Sequence, residues 1–301
     1  MATSTSIAGA SFAARIVKLK IREIADSDAD SVIDLLTRGF SADRKYWEVG
    51  FSRLRTRMVP PDSPRYGFIL EADERLVGVI LAISSLQCVK DRYELFTNLS
   101  SWYVEPAFRS HAIQLFKRAL ANKRATYLNV SAATHIRPII EAFGFKRYSE
   151  GQVLGLLALK RNRRPGEIKV YGPEKFNELD LDIYERQILD AQAAYGCITF
   201  CCVTNGAVLP FVFIPRLIKK YIPCAHLAYC RNISDLRDVA GTVGRHLLRL
   251  GLPFVLVDAN ETIAGIPGVY FAGVTPKYYK GAMPPALGNL CETEATIIRF
   301  S

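Results

Sequence analysis

Several things are scarce in this 301-residue chain, and each shortage excludes something. There are four histidines, scattered, and the seven cysteines have no metal-like spacing, so no metal site is expected. An odd cysteine count also suits no disulfide framework. Cys197, Cys201, Cys202, Cys224 and Cys230 fall in apolar, strand-like runs where thiols behave as small hydrophobes. Free thiols of this kind point to a reducing compartment, the cytoplasm. No apolar run approaches the length of a membrane span. No charge precedes the weakly apolar start of the chain, so it is not a secretory signal. Residues 1–16 read as a flexible leader; the Ser-rich, acid-free composition followed by Arg15, Lys18 and Lys20 leaves an organellar transit segment as the alternative.

Acidic residues are also in short supply. Lys and Arg number 39 against 29 Asp and Glu, a net charge of +10, which calls for an acidic partner. Basic residues interleaved with exposed aromatics on one face, as a nucleic-acid surface needs, are not evident. Half the residues are hydrophobic and 23% are charged, the balance of a globular protein with a full core. The length suggests two domains.

The most informative stretch is 101–120. Residues 101–104 read as a buried strand, Pro106 breaks it, and an amphipathic helix follows from about Ser110. A strand running into a helix N-terminus gathers free N–H groups and favours anions, phosphate above all. Arg109, at the helix opening, can add a charge-assisted contact. Around it, residues 17–24 alternate as a half-buried strand, and helices begin near Asp28 and Tyr46. A hairpin spans 66–83, strands fall near 126–130, 145–148 and 153–159, and a helix covers about 135–143.

The run Val104, Pro106, Arg109, Ala112, Gln114 resembles the pyrophosphate loop of the GNAT acyl-CoA acyltransferases, whose usual form is Val-x-Pro-x-x-Arg-x-x-Gly-x-Gly/Ala. Residues 125–131 resemble that family's fifth strand, and 134–148 resemble its fourth helix and closing Gly-Phe-x-x-Tyr, here Gly144, Phe145 and Tyr148. The likeness covers about 17–160 and rests on order and spacing together. It implies an α/β mixed-sheet fold with acetyl-CoA or a longer acyl-CoA as co-substrate and no metal. It also implies that the cofactor arm lies between the strand of Trp102, Tyr103 and Val104 and the strand ending at Asn129. The pyrophosphate would then sit on Ser110, His111, Ala112, Ile113 and Gln114, with Arg109 beside it.

Two departures bear on activity. Ala112 and Gln114 fill both glycine positions of the loop. Ile140 stands where the family often has a proton-donating tyrosine, and Ala133 where an asparagine often precedes the helix. His135 and Ser131 are the catalytic candidates that remain. His135 is equally explained as a polar helix start beside Thr134, and His111 as a solvated one. Arg137 could reach cofactor phosphates or a substrate carboxylate.

The second half runs a looser version of the same course: helix 181–195, strands 197–203 and 208–214 around the turn Asn205-Gly206, strand 225–230, a helix from Asn232 or Ser234 to Gly251, and strands 253–258, 270–274 and 296–300. The organisation expected is therefore leader 1–16, GNAT-like domain 17–160, basic linker 161–168 read as a solvated hinge, and a second, degenerate GNAT-like domain 169–301. Arg231 is the one phosphate-binding candidate of that half. Gly241 and Gly244, inside the helix, mark close packing. Function resolves to an acyltransferase acting on an amine or hydroxyl of a small-molecule or peptide acceptor, or else to a GNAT-like module that binds acyl-CoA or a protein without turnover. An acyl carrier protein is another acidic partner the charge would suit; a membrane and nucleic acid are not expected.

Overall fold

The computed structural model describes residues 17–89, 92–163 and 166–298; the expected leader 1–16 lies outside them. In chain order the first half is β1 (Leu19–Glu23), α1 (Ala29–Gly39), α2 (Arg44–Thr56), β2 (Gly67–Ala72), β3 (Arg75–Val89), β4 (Arg92–Val104), α3 (Ala112–Ala119), β5 (Thr126–Asn129), α4 (Arg137–Ala142) and β6 (Lys146–Gly155). The second half follows with β7 (Lys169–Tyr171), α5 (Ile183–Ala194), β8 (Ile198–Thr204), β9 (Ala207–Ile218), β10 (Ile222–Tyr229), α6 (Ile233–Arg249), β11 (Phe254–Ala259), β12 (Gly268–Lys280) and α7 (Glu294–Ile297).

Local chemistry accounts for most boundaries. Asp43 caps α2 by accepting from Tyr46 N–H at 2.7 Å, and Asp182 caps α5 by accepting from Glu185 N–H at 2.7 Å. Asn205 (φ 48°) and Gly206 (φ 77°) form the two-residue turn between β8 and β9, where a left-handed pair matches the strand twist. Gly251 (φ 81°) ends α6. Cys201 and Cys202 point to opposite faces of β8, into different cores.

All twelve strands form one sheet, in the order β1-β2-β3-β4-β5-β12-β6-β11-β10-β9-β8-β7. Each half supplies four antiparallel strands and then a parallel neighbour, β4 with β5 and β10 with β11. The helix crossing each parallel pair, α3 or α6, packs on one face of the sheet. The opposite face carries α1, α2, α5 and α7. The last strands are exchanged: β6, from the first half, pairs with β11, while β12, from the second, pairs with β5. The two halves thus meet along β12 and β6, paired from Gly268 to Ala272 and again from Lys277 to Tyr279, with a shift of register between the two stretches.

Four expectations need correction. Residues 145–148 and 153–159 are not two strands: β6 runs unbroken, and Leu157–Leu159 is a 3₁₀ turn. The helix expected from Ser110 begins later, because Pro106–His111 forms a 3₁₀ turn first. The strand expected at 296–300 is helical where it is described, with Thr293 capping α7. The linker is not a solvated hinge over its described part. Asn162 donates to Thr242 Oγ1 at 2.8 Å and Arg163 N–H to the Asp238 carbonyl at 2.9 Å, so this segment lies along α6. The glycines allow that contact: a Cβ on Gly241 would stand 2.0 Å from the Lys160 carbonyl oxygen, and one on Gly244 2.1 Å from Ala158 N.

Candidate active site

The site starts from a flaw in one strand. β4 pairs with β3 in a register that sets Val79 and Leu81, two residues apart, against Tyr103 and Ser100, three apart. The extra residue is absorbed at Ser101, whose φ is 51°. Such a bulge reverses the alternation of side chains beyond it. Before it, Phe96, Asn98 and Ser100 face the side of α7; after it, Trp102 and Val104 face α3. β4 pairs with β5 only from Phe96 to Asn98. Among the described residues, the edge of β4 from Leu99 to Val104 has no strand partner on that side, so the parallel pair opens like a wedge.

Of the residues singled out in the sequence, Trp102, Tyr103 and Val104 form the unpaired edge of β4, and residues 109–114 fall in the 3₁₀ turn and the first turn of α3 that follow it. Trp102 stacks on Phe116 of α3, with ring centroids 4.7 Å apart, and Val104 is buried beneath that helix. Tyr103 packs against Gly39 and Phe40. The backbone, more than these side chains, is left to the wedge. Arg109, Ser110, Ile113 and Gln114 are exposed, and His111 and Ala112 are half-buried. The loop is tighter than an open glycine cradle, because Ala112 N–H already donates to the Arg109 carbonyl. Three buried polar atoms of these segments have no hydrogen-bond partner among the described residues: Trp102 Nε1, His111 Nδ1 and Asn129 Oδ1. Buried polar groups are nearly always satisfied, so these three are exceptions. His135 is exposed and apart from the buried groups described next, and Ile140 is buried in the core under α3.

Sequence reasoning missed the most unusual group in the molecule. Glu294, the first residue of α7, is 0% exposed. Its carboxylate accepts from Asn98 of β4 and from Ser131, just past β5. It therefore closes the narrow end of the wedge. Burial pushes its pKa up to about 7, and the Ser131 hydrogen bond pulls only part of the way back. The tail is held by its neighbours. Ile297 and Ile298 are buried against α2, each contributing about 1.5–3 kcal/mol by area, and Arg53 donates to the Ile297 carbonyl at 3.0 Å. The sequence held one signal, a pair of acids (Glu292, Glu294) just before the apolar Ile297-Ile298.

Beside Glu294 lies a cavity of about 130 Å³, lined among others by Ser131, Arg137, Arg216, His226, Lys277 and Ala295. Its floor is a buried polar cluster on the central strands. Asp258 Oδ1 accepts from Lys277 Nζ at 2.8 Å and Gln152 Nε2 at 3.0 Å, and lies 3.2 Å from His226 Nε2. The cations hold Asp258 well below the usual carboxylate range despite its burial. Burial lowers the pKa of His226 and favours the neutral ring. Arg216 has only donors to offer and stands 3.1 Å from His226 Nδ1. That nitrogen is therefore the acceptor, and Nε2 carries the proton toward Asp258.

The second half lacks such an opening. Arg231 is paired with the buried carboxylate of Glu185 and donates to the Val208 carbonyl at 2.8 Å. β10 pairs with β11 only from Cys224 to His226. Past that point the chain's own backbone takes the place: Leu290 N–H donates to the Ala228 carbonyl at 2.7 Å, and Cys230 N–H to the Gly288 carbonyl at 3.2 Å. Among the described residues no group of acids, histidines and cysteines is placed to hold a metal. No described helix is long and apolar enough to cross a membrane.

A bulged β4, a wedge beside parallel β5 and a helix at its base decide the likeness. The fold is GNAT-like. It is similar to a GCN5-related N-acetyltransferase from Anabaena variabilis ATCC 29413 (TM-score 0.57, 8% identity, 91% of this chain and 74% of that one). A protein from Enterococcus faecalis V583 described as a probable N-acyltransferase matches at TM-score 0.56 with 10% identity, over 91% of this chain and 74% of that one. A GCN5-related N-acetyltransferase from Kribbella flavida matches at TM-score 0.51 with 11% identity, over 87% and 71%. No protein-family model and no curated protein matches the sequence. At these identities the GNAT-like likeness is one of fold, spanning both halves of the chain.

Proposed function

We propose that the protein transfers an acyl group from acyl-CoA to an amine or hydroxyl acceptor at the first-half wedge, with the second half a degenerate partner that completes the site. The observation that carries this is Glu294, a buried carboxyl with a pKa pushed up to about 7 at the point where β4 and β5 part. A base works best when its pKa lies near the working pH, and a buried acid with no catalytic task would be an expensive ornament. The solved structures of like fold named above, described as acyltransferases, support the same reading.

In this reading the chain's own residues divide the work. Backbone groups of Trp102, Tyr103 and Val104, with Asn129, line the donor's arm. Arg109 and His111, with Ser110, Ala112, Ile113 and Gln114 around them, meet the phosphates. Acyl-CoA, when bound, supplies the activated thioester carbonyl. Glu294 accepts the proton that the acceptor's nucleophile gives up. Ser131, hydrogen-bonded to Glu294 and open to the cleft, is the hydroxyl placed to pass a proton to the departing thiolate. The exposed His135 has no part in this scheme.

Thiol release with acetyl-, medium- and long-chain acyl-CoA, over amine and hydroxyl acceptors, tests the proposal. Acceptor-dependent release is expected, together with weakening of CoA binding by about 1–3 kcal/mol in Arg109→Ala, the range for one charge-assisted bond. CoA binding with no acceptor-dependent release across that panel would leave the non-catalytic module instead.

A further inference from the structure

We propose that the acceptor carries a carboxylate close to its nucleophilic amine, and that Arg216 and Arg137 read it. This rests on the transferase reading above and adds the chemical class of the acceptor. The cavity of about 130 Å³ that Glu294 lines is walled by both guanidinium groups, Arg216 from β9 and Arg137 from the start of α4. Neither has a carboxylate within ion-pair distance among the described residues. Arg137 donates to the Ala132 carbonyl at 3.3 Å, and Arg216 stands against His226. The third cation of the wall is already spent: Lys277 is paired with Asp258 at 2.8 Å.

The arrangement looks built to aim one charge. Asp258 fixes the tautomer of His226, and the free nitrogen of His226 holds one arm of Arg216. Among the described residues Arg216 makes no other side-chain hydrogen bond, it lines the cavity, and a guanidinium matches a carboxylate with two parallel hydrogen bonds. A neutral or purely cationic amine would face two uncompensated positive groups there. An acceptor bearing both a carboxylate and an amine would neutralise them while its amine faces Glu294. On the same sheet face, the half-buried Leu154 and Leu256 and the exposed Val269 and Phe271 form an uncovered apolar floor, which a side chain of such an acceptor could cover.

The test compares free amino acids with their C-terminal amides as acceptors. Thiol release is measured with the acyl-CoA that gives the fastest turnover, in the wild type and in Arg216→Gln. The KM for the acids should lie about tenfold or more below that for the matching amides, the scale of a charge-assisted pair. Arg216→Gln should raise the KM for the acids about tenfold while leaving the amides within about twofold and kcat nearly unchanged. Arg137→Gln, on the other wall, should show the same split if the first variant does not fold. Amides used as well as acids, or a variant that raises both KM values equally, would overturn the carboxylate reading and leave the transferase standing. Absence of acceptor-dependent release with any compound, while CoA still binds, would remove the transferase reading and this inference with it.

Discussion

Replacing Glu294 by glutamine should move stability and activity in opposite directions, and pH separates the two effects. The side chain is fully buried, with a pKa raised from 4.5 to about 7. The folded protein therefore holds a proton that the unfolded chain gives up between those values. A raised carboxyl pKa leaves stability intact below about pH 4.5 and lowers it as pH climbs through the folded value. At about 1.4 kcal/mol per unit, the carboxylate costs the fold about 3 kcal/mol by pH 8. Glu294→Gln keeps the shape, can still accept from Asn98 or Ser131 through its carbonyl oxygen, and cannot ionise. Urea unfolding of both proteins at pH 5 and pH 8 measures the effect as a double difference, so other titrating groups cancel. Between pH 5 and pH 8 the variant should gain about 2.5 kcal/mol on the wild type, part of the penalty being already present at pH 5, and any pH-independent change in the hydrogen bonds cancels. Turnover runs the other way. In the wild type it should rise with pH through about 7 as the base ionises, and in Glu294→Gln it should fall by about a hundredfold or more. A stability difference between the two proteins that does not change with pH would refute the buried, shifted carboxyl. Unchanged turnover in a folded variant would refute its role as base.

Two further substitutions probe the frame. Arg231→Ala strips the partner from Glu185, whose side chain is 3% exposed while the guanidinium is 37% exposed. Loss of about 2–3 kcal/mol in denaturant unfolding is expected, below the range for a fully buried pair because of that exposure, and CoA affinity by calorimetry should not change. Gly244→Ala would drive a methyl group to 2.1 Å from Ala158 N; backbone cannot yield cheaply, so a loss of about 1–3 kcal/mol or more is expected in the same assay, and an unchanged midpoint would mean that α6 does not sit against residues 157–160.

Local patterns in the sequence were strong enough to read where one force dominated. Alternation exposed β1, an apolar run exposed β8, Asn205-Gly206 announced its hairpin, and Gly251 marked the end of α6. They failed where competing preferences met. The segment before Ser101 is strand as far back as Arg92, but its buried Thr97, Asn98 and Ser100 break the apolar alternation that would have revealed it. Residues 296–298 carry the branched side chains of a strand, yet the Thr293 cap and docking on α2 put Thr296 and Ile297 in a helix that ends at Ile298. Tertiary packing overrode a weak propensity there. The stretch 104–114 was recognised by spacing alone, and its 3₁₀ turn over Pro106–His111 was not, because so short a turn leaves no period in the sequence.

By itself, the sequence determined most local elements, the basic balance and the strand–turn–helix around Arg109, because each of these is written in neighbours a few residues apart. Only the tertiary structure decided that β6 and β12 change places and that the chain's own backbone fills the second wedge. It also decided that a glutamate 163 positions beyond Ser131 closes the first. Contacts across such separations leave no period in the chain. They form because burying the last strand and the tail of one half satisfies the open edges and apolar faces of the other.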